Sequence, residues 1–335
     1  RSNQTDFGLD FGFFGNSLQL TADYFFKRTD GMLIEMPVPT YLGESKPWGN
    51  VGSMSNTGVE LDINYRYSIG DFNFSVGANA TYIKTLLINA GNESGILDRG
   101  SVHQMGTIIR GENGQPFPYF YGYQTDGVFQ NWDEVYAYTN AEGGLIQPDA
   151  QPGDFRYKDL DGNGSITAEG DRANLGKCVP SWTYGINASI DWKGIDFSMV
   201  WQGVAGNKIF DATRRTDIPT MNQPKYVLNR WTGEGSTNEY PRFTVTDPNQ
   251  NWSKASDFFI KDASYLRLKN VTLGYTLPAK WTNKVFVKKL RVYVACENAL
   301  TFTKYDGFDP EIADYVDRGI YPQSRTVQFG ASITF

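Results

Sequence analysis

Residues 159–171 read DLDGNGSITAEGD, a stretch built to hold a metal ion. Asp159, Asp161 and Asn163 fall at the first, third and fifth positions of a calcium loop, and Gly164 sits sixth, where such loops turn sharply. Ser165 would add its carbonyl from the seventh position, with Ile166 as the apolar anchor after it. Hard oxygen ligands at this spacing can wrap one Ca2+. The departure comes at the twelfth position, which is Gly170 in place of a bidentate acid. Glu169 and Asp171 flank it, and either closes the site if the loop runs one residue off register. A polar, Asx-rich turn without metal is the competing reading. A bound Ca2+ would be structural, pinning a long loop that has little core of its own.

Few other residues invite chemistry. His103 is the only histidine and reads as a polar loop or strand-end residue. Cys178 and Cys296 are too few for a disulfide scaffold and lack metal spacing. Cys296 lies on the apolar parity of a strand and reads as a small hydrophobe. Asp133 and Glu134 could be offered as a glycosidase pair, but adjacency is no evidence for the roughly 5–10 Å placement across a cleft that such chemistry needs.

The elements that must position these residues are strands. In VELDINYRY, Val59, Leu61, Ile63, Tyr65 and Tyr67 share one face, while Glu60, Asp62, Asn64 and Arg66 share the other. FNFSVGANATY, WTYGINASID, IDFSMVWQG, LRVYVACEN and the closing TVQFGASITF repeat the pattern. Period-two alternation marks a strand between two different solvents. In YLRLKNVTLGYT the phase slips, which predicts a β-bulge near Lys269–Asn270. Counting VHQMGTIIRG and FYGYQTDGVF around the turn ENGQP, the chain should form about eleven strands of roughly 9–12 residues, long enough to cross a bilayer at a tilt.

The connections alternate in length. Residues 14–16, 68–71, 112–116, 192–194 and 277–289 are short links, whereas 29–56, 84–101, 130–181, 205–264 and 300–325 are long. One trimmed rim and one elaborate rim predict an all-β, antiparallel transmembrane barrel with short periplasmic turns, long extracellular loops, lipid outside and a wet lumen inside. Tyr65, Tyr67, Trp192, Tyr275 and Trp281 gather at the short-turn end and Trp182, Tyr184 and Trp201 near the other, as interfacial girdles do. An odd number of antiparallel strands cannot close on itself, so further strands from elsewhere are expected to complete the barrel.

Composition agrees with this class. Thirty-one Lys and Arg against 37 Asp and Glu give a net charge of −6, with no basic excess for nucleic acid. No apolar run approaches the roughly 18 residues of a membrane helix, which does not exclude barrel strands. Aromatic residues at 15 % and 35 glycines suit a turn-rich β protein with aromatic belts.

Several blocks, in order, resemble one family. FYGYQTDGVFQ, PGDFRYKDLDGNGSIT, LGKCVPSWTYGINASIDWKGIDFS, YLRLKNVTLGYTLP, ENALTFTKYDGFDPE and TVQFGASITF look like the C-terminal half of a SusC/RagA-type TonB-dependent transporter of Bacteroidetes. KPWGNVGSMSNTGVEL and GLDFGFFGNSLQLTADYFFKRTDGMLIEMP resemble barrel segments of the same family. The resemblance implies that residues 1–335 are the C-terminal part of a barrel of about 22 strands with a plugged lumen, with 130–181 and 205–264 as long extracellular loops. It implies active import of a large nutrient, a glycan or a peptide, across the outer membrane. As partners it implies a SusD-like surface lipoprotein lid, an N-terminal barrel and plug portion outside this chain, and, through the plug, TonB–ExbB–ExbD. The terminal Phe335 would serve as the signal for barrel insertion.

Substrate would then meet loop and lumen groups. Phe117, Tyr119, Phe120, Tyr121, Trp231, Tyr240 and Trp252 are candidates, because aromatic faces suit sugar rings. Packing of the loops, or contact with the lid, is the competing reading for each. The alternative function is a secreted soluble all-β carbohydrate-binding module or glycosidase. The two classes differ in which face of the strands is wet.

Overall fold

The computed structural model describes residues 1–36, 47–103, 105–215 and 220–335; the middle of the expected 29–56 link, Gln104 in VHQMGTIIRG, and residues 216–219 of the 205–264 loop lie outside the described residues. Among the described residues, nine antiparallel strands form one continuous sheet. They are β1 (Ser2–Phe13), β2 (Leu18–Glu35), β3 (Trp48–Ile69), β4 (Phe72–Asn89), β11 (Trp182–Trp192), β12 (Ile195–Ala205), β15 (Tyr265–Thr276), β16 (Lys289–Thr303) and β18 (Thr326–Thr334), side by side in that order.

Register carries the alternation across the whole sheet. Phe13, Leu18, Tyr65, Val76, Ala188, Met199, Val271, Cys296 and Val327 are successive direct partners, and every one is apolar or aromatic. One residue along, Gly12, Gln19, Asn64, Gly77, Asn187, Val200, Asn270, Glu297 and Thr326 form the next row, polar or glycine apart from Val200. A one-residue slip in any strand would put its apolar set among the polar ones, so the register is tightly specified. The bulge falls where the pattern predicts: Trp201 pairs with Leu268 and Val200 with Asn270, leaving Lys269 as the extra residue. The apolar face has no cover. Phe7 is 68 % and Phe329 84 % exposed, and Leu61, Ile63 and Val327 are open as well.

Two expectations change. The sheet has nine strands where about eleven were predicted, because VHQMGTIIRG and FYGYQTDGVF do not join it. They contribute to a separate sheet of β5 (Ile96–Ser101), β6 (Thr107–Glu112), β7 (Tyr119–Tyr123) and β10 (Arg172–Lys177), in the order β10-β7-β6-β5. These strands fall short of the roughly 9–11 residues that span a bilayer, and β7 is buried on both parities rather than one. The turn at 112–116 therefore lies inside a loop domain and not on a rim. The 29–56 link is also shorter than expected. Strands β2 and β3 pair out to Glu35 and Trp48, past a bulge that Gly31 absorbs at φ 71°.

The remaining rim turns are tight, at 14–17, 70–71 and 193–194, with 277–288 carrying the short helix α2 (Ala279–Thr282). The opposite rim carries 90–181, 206–264 and 304–325, which fold on each other. Within them β8 (Thr125–Val128) pairs with β9 (Phe155–Tyr157), and β13 (Lys208–Asp211) lies between β14 (Ile260–Asp262) and β17 (Val316–Asp317). Their shared core includes Val102, Ile108, Phe120, Phe210, Trp252 and Phe259, all nearly inaccessible. Helix α1 (Trp132–Ala137) starts at Asn131, whose side chain accepts from Glu134 N, while Glu134 Oε2 accepts from Gln130 N. Glu134 thus caps a helix, a role that takes it away from any acid pair with Asp133.

Candidate functional site

The 159–171 loop closes on itself through its own oxygens. Gly162 N and Gly164 N donate to the two carboxylate oxygens of Asp159 at 2.8 Å each, Asn163 N donates to Asp161 Oδ1 at 3.0 Å, and Ser165 N to Asn163 Oδ1 at 2.9 Å. Gly162 and Gly164 take φ of 72° and 82°, which lets these amides point inward. Asp171 is fully buried; it accepts from Leu160 N and Thr167 N at 2.6 Å each. The result is that carboxylate oxygens of Asp159, Asp161 and Asp171 lie within 4.8 Å of one another.

This donor set fits Ca2+, since it is all hard oxygen and the three carboxylates converge. It also accounts for the twelfth position. A Cβ on Gly170 would push the Asp161 carboxylate aside, so glycine at 170 leaves that group its place, and the next residue, Asp171, enters the cluster. Glu169 is exposed and stands outside the group. Asn163 is occupied, with its oxygen taken by Ser165 and its amide donated to Asp161 Oδ2 at 2.8 Å.

Most of the aromatic candidates are structural. Tyr119, Phe120 and Trp252 are no more than 2 % exposed, which leaves no ring face for a solute. Tyr119 donates to Glu112 Oε2 at 2.9 Å, and burial together with that bond pushes its hydroxyl well above the usual tyrosine range. Tyr121 is sandwiched, with the Arg110 guanidinium 3.5 Å and that of Arg172 4.3 Å from the ring centroid. Trp252 packs on Phe243 and Phe258 and donates Nε1 to Arg242 O at 3.1 Å. Phe117, Trp231 and Tyr240 keep part of their surface, although Tyr240 meets Phe258 edge to face and Trp231 donates Nε1 to Gln130 Oε1. His103 Nε2 lies 3.3 Å from Ala212 O, and Cys178 is buried, which raises its thiol well above the usual range.

Sequence reasoning missed the network that joins two of the loops. Asp154, without exposure, accepts Arg242 Nε at 2.5 Å, Arg242 Nη2 at 3.0 Å and Asn251 Nδ2 at 2.7 Å. Asn251 Oδ1 in turn accepts Phe155 N, and Gln147 bridges Phe155 O, Tyr157 N and Asn249. The partners are about a hundred residues apart, as the separation of 97 for Asn251 and Asp154 shows, so no local pattern announces them.

An open antiparallel sheet with one apolar and one polar face, trimmed at one rim and elaborated at the other, defines a segment of a membrane-spanning β-barrel. The TonB-dependent receptor-like β-barrel family model matches residues 1–299, and the chain belongs to that family. It is 32 % identical to TonB-dependent receptor P3 of Formosa agariphila over the whole chain and 34 % of that relative. It is 26 % identical to TonB-dependent receptor SusC of Bacteroides thetaiotaomicron, over 98 % of this chain and 31 % of SusC. Among solved structures, the RagAB peptide transporter superposes over the full chain and 35 % of its own, with a TM-score of 0.79 and 26 % identity. The RagAB peptide importer in its open-open state gives 0.78 at the same identity. The chain spans about a third of the length of each of these relatives.

Proposed function

We propose that this chain is the C-terminal part of the barrel of an outer-membrane importer that takes up a large nutrient, a glycan or a peptide, by TonB-dependent active transport. The observation that carries the reading is the unbroken apolar row from Phe13 to Val327, backed one residue away by a polar row. Such a sheet has one face for lipid and one for a wet lumen, and a soluble module would have to bury the first. Membership of the TonB-dependent receptor family supports TonB as the energy source, and similarity to a peptide importer and to SusC supports a transporter rather than an enzyme. A SusD-like lipoprotein would sit over the long-loop rim as lid. A plug with further barrel strands would link the lumen to TonB–ExbB–ExbD.

In this reading Ca2+ is structural, held by Asp159, Asp161, Asp171 and the Ser165 carbonyl, and it fixes the 130–181 loop from which the lid would be contacted. The test is the mass and subunit composition of the protein extracted in detergent from outer membranes. Co-purification with a plug-bearing portion and a lipoprotein is expected. A lone 37.6 kDa monomer that stays soluble without detergent would replace this reading with a secreted carbohydrate-binding module.

A further inference from the structure

Residues of connections 206–264 and 304–325 line a half-open cavity of about 520 Å³, within the range of small-ligand sites. Asp211, at the end of β13, lines it. Thr213 donates its backbone N–H and its hydroxyl to the same oxygen, Asp211 Oδ1, at 3.0 and 2.6 Å, which leaves Oδ2 uncommitted among the described residues. Asp306, Tyr226 and Phe308 line it too, and Phe308 is 68 % exposed, a bare ring beside a cavity in a loop.

The lining is held from both sides. Tyr226 packs on Tyr240 and Phe258. Asp306–Phe308 is slung between two fixed points, since Tyr305 donates its hydroxyl to Asp317 and Asp309 is bound by Arg267. Among the described lining residues are two carboxylates, Asp211 and Asp306, and one ammonium, that of exposed Lys225, while the nearby Arg214 guanidinium is stacked over Trp252 and Phe243 and its Nε donates to Gln223. Lys261 and Asp317 act on Asp211 from the neighbouring strands. Burial raises the Asp211 carboxyl above its usual range, with Asp317 adding to the rise, against the lowering pull of Thr213 and Lys261.

We propose that this cavity binds a protonated primary amine, either the amino terminus of a peptide or the amino group of a hexosamine. Asp211 and Asp306 supply the counter-charge, and the rings of Tyr226 and Phe308 receive the cation and the carbon skeleton attached to it. The role of the site as a selector of cargo rests on the import reading, whereas its chemistry rests on the cavity.

The test uses the full-length protein in detergent and calorimetric titration with matched probes: glucosamine against glucose, and trialanine against N-acetyl-trialanine. In at least one pair the amine should bind about tenfold more tightly or better, and Asp211→Asn with Asp306→Asn should bring it to within about twofold of its neutral partner. The pair that responds identifies the source of the amine. Lys225→Ala should tighten amine binding, a gain that a misfolded variant cannot give. Equal binding within both pairs, or a preference that survives both Asn substitutions, overturns the amine site. Uptake assayed in the same strains keeps the readings apart: TonB-dependent uptake without amine preference removes the site alone, and uptake indifferent to TonB removes the import reading.

Discussion

Asp171 and Glu169 stand two residues apart with opposite expected roles in metal binding. Asp171 is buried in the carboxylate cluster and Glu169 points to solvent. Asp171→Asn should weaken Ca2+ binding at least about tenfold, while Glu169→Gln stays within about twofold, read by titrating Tb3+ luminescence after EDTA treatment. The reverse order would make Glu169 the closing ligand. The first positions of this loop were legible as spacing, but which flanking acid joins them was not, because that depends on where Asp171 lies in space relative to Asp159 and Asp161. Tyr119, Phe120 and Trp252 are closed to a solute for a related reason: a ring's type can be read from the chain and its burial cannot. Asp154 makes the same point energetically. Arg242→Ala would leave its inaccessible carboxylate without the guanidinium, and breaking such a pair costs about 3–5 kcal/mol, toward the lower figure here because Arg242 keeps 18 % exposure. The expected outcome is a lower melting temperature and faster proteolysis of the loops, with Asn251→Ala milder than Arg242→Ala.

Connection 304–325 is an element with almost no regular structure, and it is tied to the barrel wall by charge. Arg267, 4 % exposed on β15, donates to Asp309 at 2.7 Å and to Glu311 at 2.8 Å, and Lys269, the bulge residue, donates to Glu311 at 2.7 Å. Burial works to raise the Asp309 carboxyl, but hydrogen bonds from Arg267 and from the backbone of Glu311 and Gln323 outweigh it and hold it below its usual range. A depressed carboxylate contributes stability above its unfolded value of about 3.9 and loses it as pH falls through the folded value. A spin label at exposed position 321 should therefore keep the same mobility from pH 7 to about 5 and loosen only below about 4. Asp309→Asn should be loose throughout, and equal mobility in the two proteins at neutral pH would show that the tie does not hold the loop. The bulge behind this tie was visible in the sequence as a slipped phase, and the tie itself was not. The same limit explains the strand count, since alternation in FYGYQTDGVF looks like a barrel strand and yet serves a small sheet buried on both sides.

At the scale of the molecule, the two edge strands β1 and β18 run the same way in a sheet of nine antiparallel strands, so joining them directly would make a parallel seam that the rest of the sheet does not have. The two faces decide what environment the sheet occupies, and they can be separated one residue at a time. Ala188 and Asn187 are adjacent, midway along β11 between Trp182 and Trp192, with Ala188 in the apolar row and Asn187 in the polar one. Arginine on a lipid face near the bilayer midplane costs about 2–4 kcal/mol, whereas on a lumen face it meets water. Ala188→Arg should therefore cut the amount of heat-modifiable, folded barrel in outer membranes, and Asn187→Arg should leave it near the parent level. Equal tolerance of both would mean that the apolar row does not face lipid. Equal loss of both would mean that the polar row is packed rather than wet. Only the asymmetric result fits a sheet whose two faces are solvated by hydrocarbon and by water.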